Sequence, residues 1–235
     1  AMYYLARMTR EHVTVALSGD AADEVFAGYK RYVTARLGHV YDALPPIVRS
    51  LYRGALRAAL RYPAPSAARY ATAFPLGEAT RYASLIGHFT PEEKAQLYLP
   101  RMQAVRSWDT IERFERVLGE SAAGSAIGRL ADLAFQTYLT DDINVKVDIA
   151  SMAHALEVRC PYLDTDVVEF AARLPAGMLM RARGKYLLRR VAKGRVPEPI
   201  LRRRKRGFAL PLKRWLRRDL RQMIHDLLLD RTARE

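Results

Sequence analysis

The sequence predicts a mainly α fold with one or few strands near the N-terminus. Val13–Leu17 is a short apolar run of strand type, followed at once by the small-residue turn Ser18-Gly19. Elsewhere apolar residues recur at helical spacing, most clearly over 127–138 and 211–228. Pro45-Pro46, Pro63-Ala64-Pro65 and Pro75 cut the middle of the chain into irregular pieces.

In chain order, residues 3–11 read as the end of a helix, 13–17 as the strand and 23–37 as a helix. Residues 40–120 are helical but interrupted. Within them Thr90-Pro91-Glu92-Glu93 is a helix start, with Thr as N-cap, Pro at the first helical position and Glu two residues further on. Residues 119–125 form a small-residue linker, and 127–138 a strongly apolar helix. A short helix over 151–156 leads into Val158-Arg159-Cys160-Pro161. Asp164 or Thr165 caps the next helix, which Pro175 follows, and 185–193 and 197–203 are short helices. Pro211 opens a last long helix whose Leu212, Trp215, Leu216, Leu220, Met223 and Ile224 lie near helical spacing, with Trp215 expected in the core. No internal repeat is present.

A chain of 235 residues, 50% hydrophobic, fits one large domain or two small ones. No run of 18 apolar residues occurs, which excludes a transmembrane helix of ordinary length. The start lacks the basic, apolar and small-residue order of a signal peptide. The single cysteine, Cys160, gives no internal disulfide framework, in keeping with a reducing cytoplasm. Between Arg159 and Pro161 it reads as a small buried hydrophobe rather than a nucleophile. A net charge of +14 raises nucleic-acid binding. Apart from Arg202-Arg203-Arg204-Lys205-Arg206, however, the basic residues are dispersed. A weak, salt-sensitive affinity for polyanions is therefore expected, and specific nucleic-acid recognition is not.

Ser18-Gly19-Asp20-Ala21-Ala22-Asp23-Glu24 carries the chemistry. Ser18 and Gly19 let the backbone approach a ligand, and Asp20, Asp23 and Glu24 crowd carboxylates into five residues. Mg²⁺ takes oxygen ligands of this kind, with substrate phosphates completing its shell. Acidic residues in a first helical turn are also favoured by capping and the macrodipole alone, so both readings stand at this point.

Two further blocks follow: Tyr138-Leu139-Thr140-Asp141-Asp142-Ile143-Asn144-Val145-Lys146-Val147-Asp148 continuing through His154 to Asp164, and Gly184-Lys185-Tyr186 with Lys205-Arg206-Gly207-Phe208-Ala209-Leu210-Pro211. With the 13–29 block in front, the chain resembles the C-terminal part of the synthetase domain of glutamine-hydrolysing asparagine synthetases. The resemblance implies the helical part of an α/β PP-loop domain, of the adenine nucleotide alpha hydrolase-like kind. It also implies a reaction: ATP and Mg²⁺ activate aspartate as an adenylate, pyrophosphate leaves, and ammonia attacks to give asparagine. A glutaminase domain supplies that ammonia. By this resemblance Ser18 and Gly19 approach the nucleotide, and Asp20 lies by the reacting acyl group and ammonia. Asp23 helps hold Mg²⁺ and Lys185 neutralises phosphate charge. Glu24, Asp148, Glu157 and Arg159 support the site, Glu157 and Arg159 as a buried pair in its wall.

Three positions depart from the family pattern. Ala21 stands where glycine is usual, Asn144 where leucine is usual and Ile149 where arginine is usual. Neither an N-terminal catalytic cysteine nor a Ser-Gly-Gly-x-Asp-Ser pyrophosphate loop occurs in the sequence, so it reads as part of a larger enzyme, inactive by itself. Residues 1–38 then read as the end of the nucleotide-binding core, 39–125 as a helical insertion and 126–235 as the part bearing the later motifs. Alternatives are a family member acting on a peptide, sugar or β-lactam precursor carboxylate, and a non-catalytic relative. His154 reads as a structural imidazole ahead of a catalytic base. The strand at 13–17 is expected to leave an apolar edge that favours a homodimer or aggregation.

Overall fold

The computed structural model describes residues 1–59, 70–102, 110–181, 184–203 and 211–228. The Lys205–Leu210 part of the third motif and Pro63-Ala64-Pro65 lie outside them. The chain divides into two compact units, Met2–Arg195 and Val196–Glu235.

The larger unit is helical around one small parallel sheet. After α1 (Met2–Arg10), β1 (Val15–Leu17) pairs with β2 (Glu157–Arg159), Val15 opposite Glu157 and Leu17 opposite Arg159. Parallel strands need a long crossover, and here it holds most of the helices. These are α2 (Ala22–Val25), α3 (Lys30–Asp42), α4 (Pro46–Ala59), α5 (Glu78–Ile86), α6 (Pro91–Leu97), α7 (Thr110–Glu120), α8 (Ala126–Ala134) and α9 (Val145–Met152). A 3₁₀ turn at Pro161–Leu163, α10 (Thr165–Ala172), α11 (Ala176–Leu179) and α12 (Tyr186–Ala192) follow β2.

The core lies among the crossover helices. α3 packs on α5 and α8, and α7 packs on α5 and α8. Tyr32, Tyr82, Phe114, Leu130, Leu133 and Leu139 are buried between them. Arg81 on α5, only 3% exposed, ties this layer together. Its Nη2 donates to both Asp42 oxygens at 3.1 and 3.0 Å, to Phe74 O at 3.0 Å and to Leu76 O at 2.8 Å. Thr90 and Glu93 form the expected reciprocal cap on α6.

Several elements differ from the sequence expectation. The helix expected over 23–37 is two helices, because Ala27 turns to φ 50 and residues 26–29 form a turn between them. The helix expected over 127–138 runs on to Met152 through a wide π segment, Phe135–Asn144. There Thr137 Oγ1 donates to Leu133 O at 2.6 Å and Thr140 Oγ1 to Phe135 O, five residues back, at 2.8 Å. The short helix placed at 151–156 is the end of α9 and a turn. β2 was not foreseen: Glu157-Val158-Arg159 is too short a run for its alternation to mark a strand.

In the smaller unit α13 (Glu198–Arg202) precedes α14 (Leu212–Arg214), a π turn over Trp215–Asp219 and α15 (Arg221–Leu228). The last long helix is thus broken at Leu220, which leaves helical geometry at φ −111. Trp215 is half-buried rather than in the core, and Leu212, Leu216, Met223 and Leu227 are exposed.

Candidate active site at the strand ends

The site is built where β1 and β2 end. Ser18 N–H donates to Arg159 O at 2.9 Å, which carries the parallel pairing one residue past β1. Ser18 Oγ donates to Asp20 Oδ2 at 2.8 Å and accepts from Asp20 N–H at 3.2 Å. Cys160 Sγ lies 3.3 Å from the same oxygen. Since the one hydroxyl proton goes to Asp20, the thiol is the donor, and Ser18 is fully used in fixing the turn. A Cβ on Gly19 would meet nothing within 4 Å, so this face of the turn is open.

Ala21 holds φ 65, the left-handed region where a Cβ is strained. That conformation starts α2, whose first turn carries Asp23 and Glu24 to opposite environments. Asp23 keeps 20% of its side-chain surface, and its Oδ1 lies 3.0 Å from Lys185 Nζ. Glu24 is 1% exposed and points into the core, where its carboxylate accepts from Tyr29 Oη at 2.7 Å. Burial pushes its pKa above the ordinary carboxylate value, against the lowering effect of the Tyr29 hydrogen bond. Tyr29 and Tyr32 are pushed up as well, first by burial.

Lys185 comes from the far end of the larger unit and is brought in by backbone docking. Gly184 takes φ 67 and Lys185 φ 49, and Lys185 N–H donates to Phe26 O at 3.2 Å. A Cβ on Gly184 would stand 2.6 Å from Ala27 O. A Cβ on Gly28 would overlap both Asp23 Oδ1 and Lys185 Cε. Both glycines are therefore needed for the close approach that joins the ion pair.

Beside the strand ends lies an open concavity of about 520 Å³, lined by Leu17, Asn144, Asp148, Ser151, Arg159 and Cys160 among others. A crevice at the carboxyl ends of parallel strands is where α/β sheets bind ligands. The π segment and α9 supply its Asn144 and Asp148. The expected buried Glu157–Arg159 pair is instead an exposed one, 2.7 Å apart. Both residues sit on the outward face of β2, where alternation puts residues 157 and 159 together and Val158 opposite. His154 stacks edge-on against Tyr3, with ring centroids 4.3 Å apart. Among the described residues no group of three His, Cys, Asp or Glu side chains could hold a metal. Asp23 fits Mg²⁺ only in the way that leaves most of the shell to phosphate oxygens and water.

Sequence reading missed Arg31. It is buried, with its guanidinium 3.8 Å from the Tyr29 ring centroid and 4.5 Å from that of Tyr138. Only the local Tyr29 neighbour is visible in the sequence; Tyr138 comes from the distant π segment.

The asparagine synthase family model matches residues 1–235. This chain belongs to the asparagine synthase family. A provisionally named glutamine-hydrolysing asparagine synthetase of Mycobacterium tuberculosis is 36% identical over 220 residues, covering 92% of this chain and 32% of its own length. Glutamine-hydrolysing asparagine synthetase 1 of Bacillus subtilis is 29% identical over 246 residues, covering 97% of this chain and 35% of its own. The chain thus spans about a third of the relatives it matches. No solved structure matches it significantly. The strand-end turn, the ion pair and the concavity are accordingly features of an asparagine synthase family chain.

Proposed function

We propose that this chain is part of an ATP-dependent amidotransferase-type synthetase, a ligase that adenylates aspartate and forms asparagine from ammonia. The observation that carries the reading is the joining of Asp23 and Lys185 at the end of a parallel strand, in a chain matched by the family model from end to end. The fold would then be the helical part of an α/β PP-loop domain. The pyrophosphate loop and a glutaminase domain would belong to the rest of the enzyme, which would work in the cytoplasm. Mg²⁺ supplies charge neutralisation on the leaving pyrophosphate. Among the chain's own residues, Asp23 would hold that ion with phosphate oxygens. Lys185 would place a fixed cation where negative charge develops. Asp20, set by Ser18, would face the attacking nitrogen and take its proton. Asn144 lines the concavity and Ile149 leaves the position after Asp148 without a cation. These two residues favour, as second reading, the same chemistry on another carboxylate.

The test is aspartate-dependent exchange of labelled pyrophosphate into ATP by the protein that carries this chain. Lys185→Ala is expected to lower the exchange by roughly 10²–10³-fold, the usual effect of removing one transition-state donor. Asp23→Asn is expected to raise the Mg²⁺ concentration needed for half-maximal exchange. Exchange supported by a different carboxylate and not by aspartate would establish the second reading.

A further inference from the structure

We infer that the outer face of α3 and α4 is a docking surface for an anionic lipid bilayer. The protein would lie on that surface through these helices, since no helix among the described residues is long and apolar enough to cross a membrane. The inference stands apart from the function proposed above, because α3 and α4 supply none of the residues named there.

An amphipathic helix ordinarily turns its apolar face to the core and its charges to water. On α4 the aliphatic side faces outward: Ile47 is 71% exposed and Leu51 69%, with Val48 beside them. The side turned to the chain carries Tyr52 and two arginines. Tyr52 Oη donates to Ala71 O at 3.0 Å, and its ring meets that of Tyr41 edge-on with centroids 5.3 Å apart. Arg53 Nε donates to Tyr41 Oη at 3.3 Å, and that hydroxyl donates in turn to Arg49 O at 3.5 Å. These contacts with the end of α3 fix which side of α4 faces inward, so the exposure of Ile47 and Leu51 is built into the fold.

α3 repeats the feature. Its inner side buries Tyr32, Ala35 and Tyr41, while Val33, Leu37 and Val40 are exposed on its outer side. At 100° per residue these three fall within about 60° of arc, with Lys30 to one side and Arg36 to the other. Both cations are exposed. Long basic side chains at the edges of an aliphatic stripe lay their stems on it and carry their charge outward to the headgroup layer.

Charge decides the occupant. Residues 30–59 contain six Lys or Arg and one acid, Asp42, whose carboxylate is held by Arg81 at 3.0 Å. Aliphatic groups edged by cations match an anionic bilayer, which offers hydrocarbon and negative charge together; stable surface binding takes both signals. A nucleic acid offers the charge alone. Its single strands are held by aromatic stacking, and no aromatic residue stands among the exposed large apolar residues of α3 and α4. A second copy of the chain would bring the same cations face to face in a two-fold contact.

The experiment is flotation of the protein that carries this chain with vesicles on a density gradient, which separates bound protein from aggregates. It is expected to float with equimolar phosphatidylcholine and phosphatidylglycerol and to stay behind with phosphatidylcholine alone. The bound fraction should fall as salt rises. Leu37→Asp with Leu51→Asp is expected to weaken binding by about tenfold or more, since each loses a buried aliphatic group and gains a repelled charge. Lys30→Gln with Arg36→Gln keeps the aliphatic stripe and should also weaken binding by about tenfold. Leu5→Asp with Met8→Asp changes two exposed apolar residues of α1 and is expected to weaken it less than about twofold. The proposal is overturned if the protein fails to float with the anionic vesicles or floats equally with neutral ones. It is overturned too if the α3–α4 variants float like the parent, or if the α1 variant loses as much as they do. Should circular dichroism show the Leu37→Asp, Leu51→Asp variant unfolded, the Lys30→Gln, Arg36→Gln variant decides, and undiminished flotation overturns the proposal. Flotation of the 235-residue chain but not of the whole protein would show this face covered by the rest of the protein. A dimer that Leu37→Asp with Leu51→Asp dissociates, without flotation, would assign the face to a second copy. Either result overturns the lipid assignment.

Discussion

Glu24 and Asp23 are neighbours in sequence, and about 100° of helix rotation separates their chemistry. Asp23 faces Lys185, whereas Glu24 is buried against Tyr29 near the caged guanidinium of Arg31. The raised pKa of Glu24 has a consequence for stability. Between the ordinary value of 4.5 and the raised folded value, the folded chain holds a proton that the unfolded chain has released. Stability contributed through this group therefore falls as pH rises through that window. Glu24→Gln keeps an acceptor for Tyr29 and removes the titration. Urea unfolding should show the variant gaining stability relative to the parent as pH is taken from 4.5 toward neutrality; parallel curves would place Glu24 in a solvated environment. At this scale the sequence showed which residue types gather near Ser18, because a turn keeps sequence neighbours together in space. It did not show which carboxylate turns inward, since that depends on Tyr29, Arg31 and the packing of α3. Nor did it show that Glu157 and Arg159 are exposed, because the partner of β2 is 142 residues away in the chain.

Among the elements, the break between α2 and α3 decides the site. A periodic pattern reads through Phe26–Tyr29 as helix, since Val25, Phe26 and Tyr29 suit a helical face. The actual break, at Ala27 with φ 50, is accompanied by a docking contact, Lys185 N–H on Phe26 O, that only the folded chain contains. The π segment is invisible for a related reason. Its residues have ordinary helical spacing, and its extra width shows only in the folded backbone, with Thr140 Oγ1 reaching five residues back to Phe135. By contrast the cap on α6 was legible, because Thr90 and Glu93 satisfy each other locally. Arg81 is the element-scale counterpart of these contacts. It binds Asp42 at the end of α3 and carbonyls of the segment before α5, so one buried side chain joins three pieces of chain. Arg81→Ala strands those acceptors and is expected to destabilise the chain by about 3–4 kcal/mol, the usual effect of breaking a buried charged network. Denaturant unfolding measures it, and a loss below about 1 kcal/mol would show that water replaces the guanidinium without penalty.

On the scale of the whole molecule, exposed apolar surface gathers on adjoining elements. α1 packs on α9, α9 packs on β2, and β2 pairs with β1. Tyr4, Leu5 and Met8 on α1, Ile149 and Met152 on α9 and Leu17 on β1 are all exposed, Leu17 by 74%. Among the described residues the sheet has two strands, so β1 presents one edge without a ladder partner. An apolar strand edge of this kind pairs with another chain, and a patch of this composition favours association. The net charge of +14 acts against it, through repulsion that reaches over the Debye length. The 235-residue chain should therefore self-associate at micromolar concentration, more strongly as salt rises and repulsion is screened. Static light scattering over a salt series reads this directly, and a dye that fluoresces on apolar surface should brighten on the dilute monomer. Leu17→Lys with Leu5→Lys places charge on both β1 and α1 and should shift association to about tenfold higher concentration, an effect near 1.4 kcal/mol. A clean monomer at every salt concentration, with no dye response, would mean that β1 and α1 are covered by the chain itself. Association that weakens as salt rises would instead assign it to charge contacts, with the apolar face uninvolved.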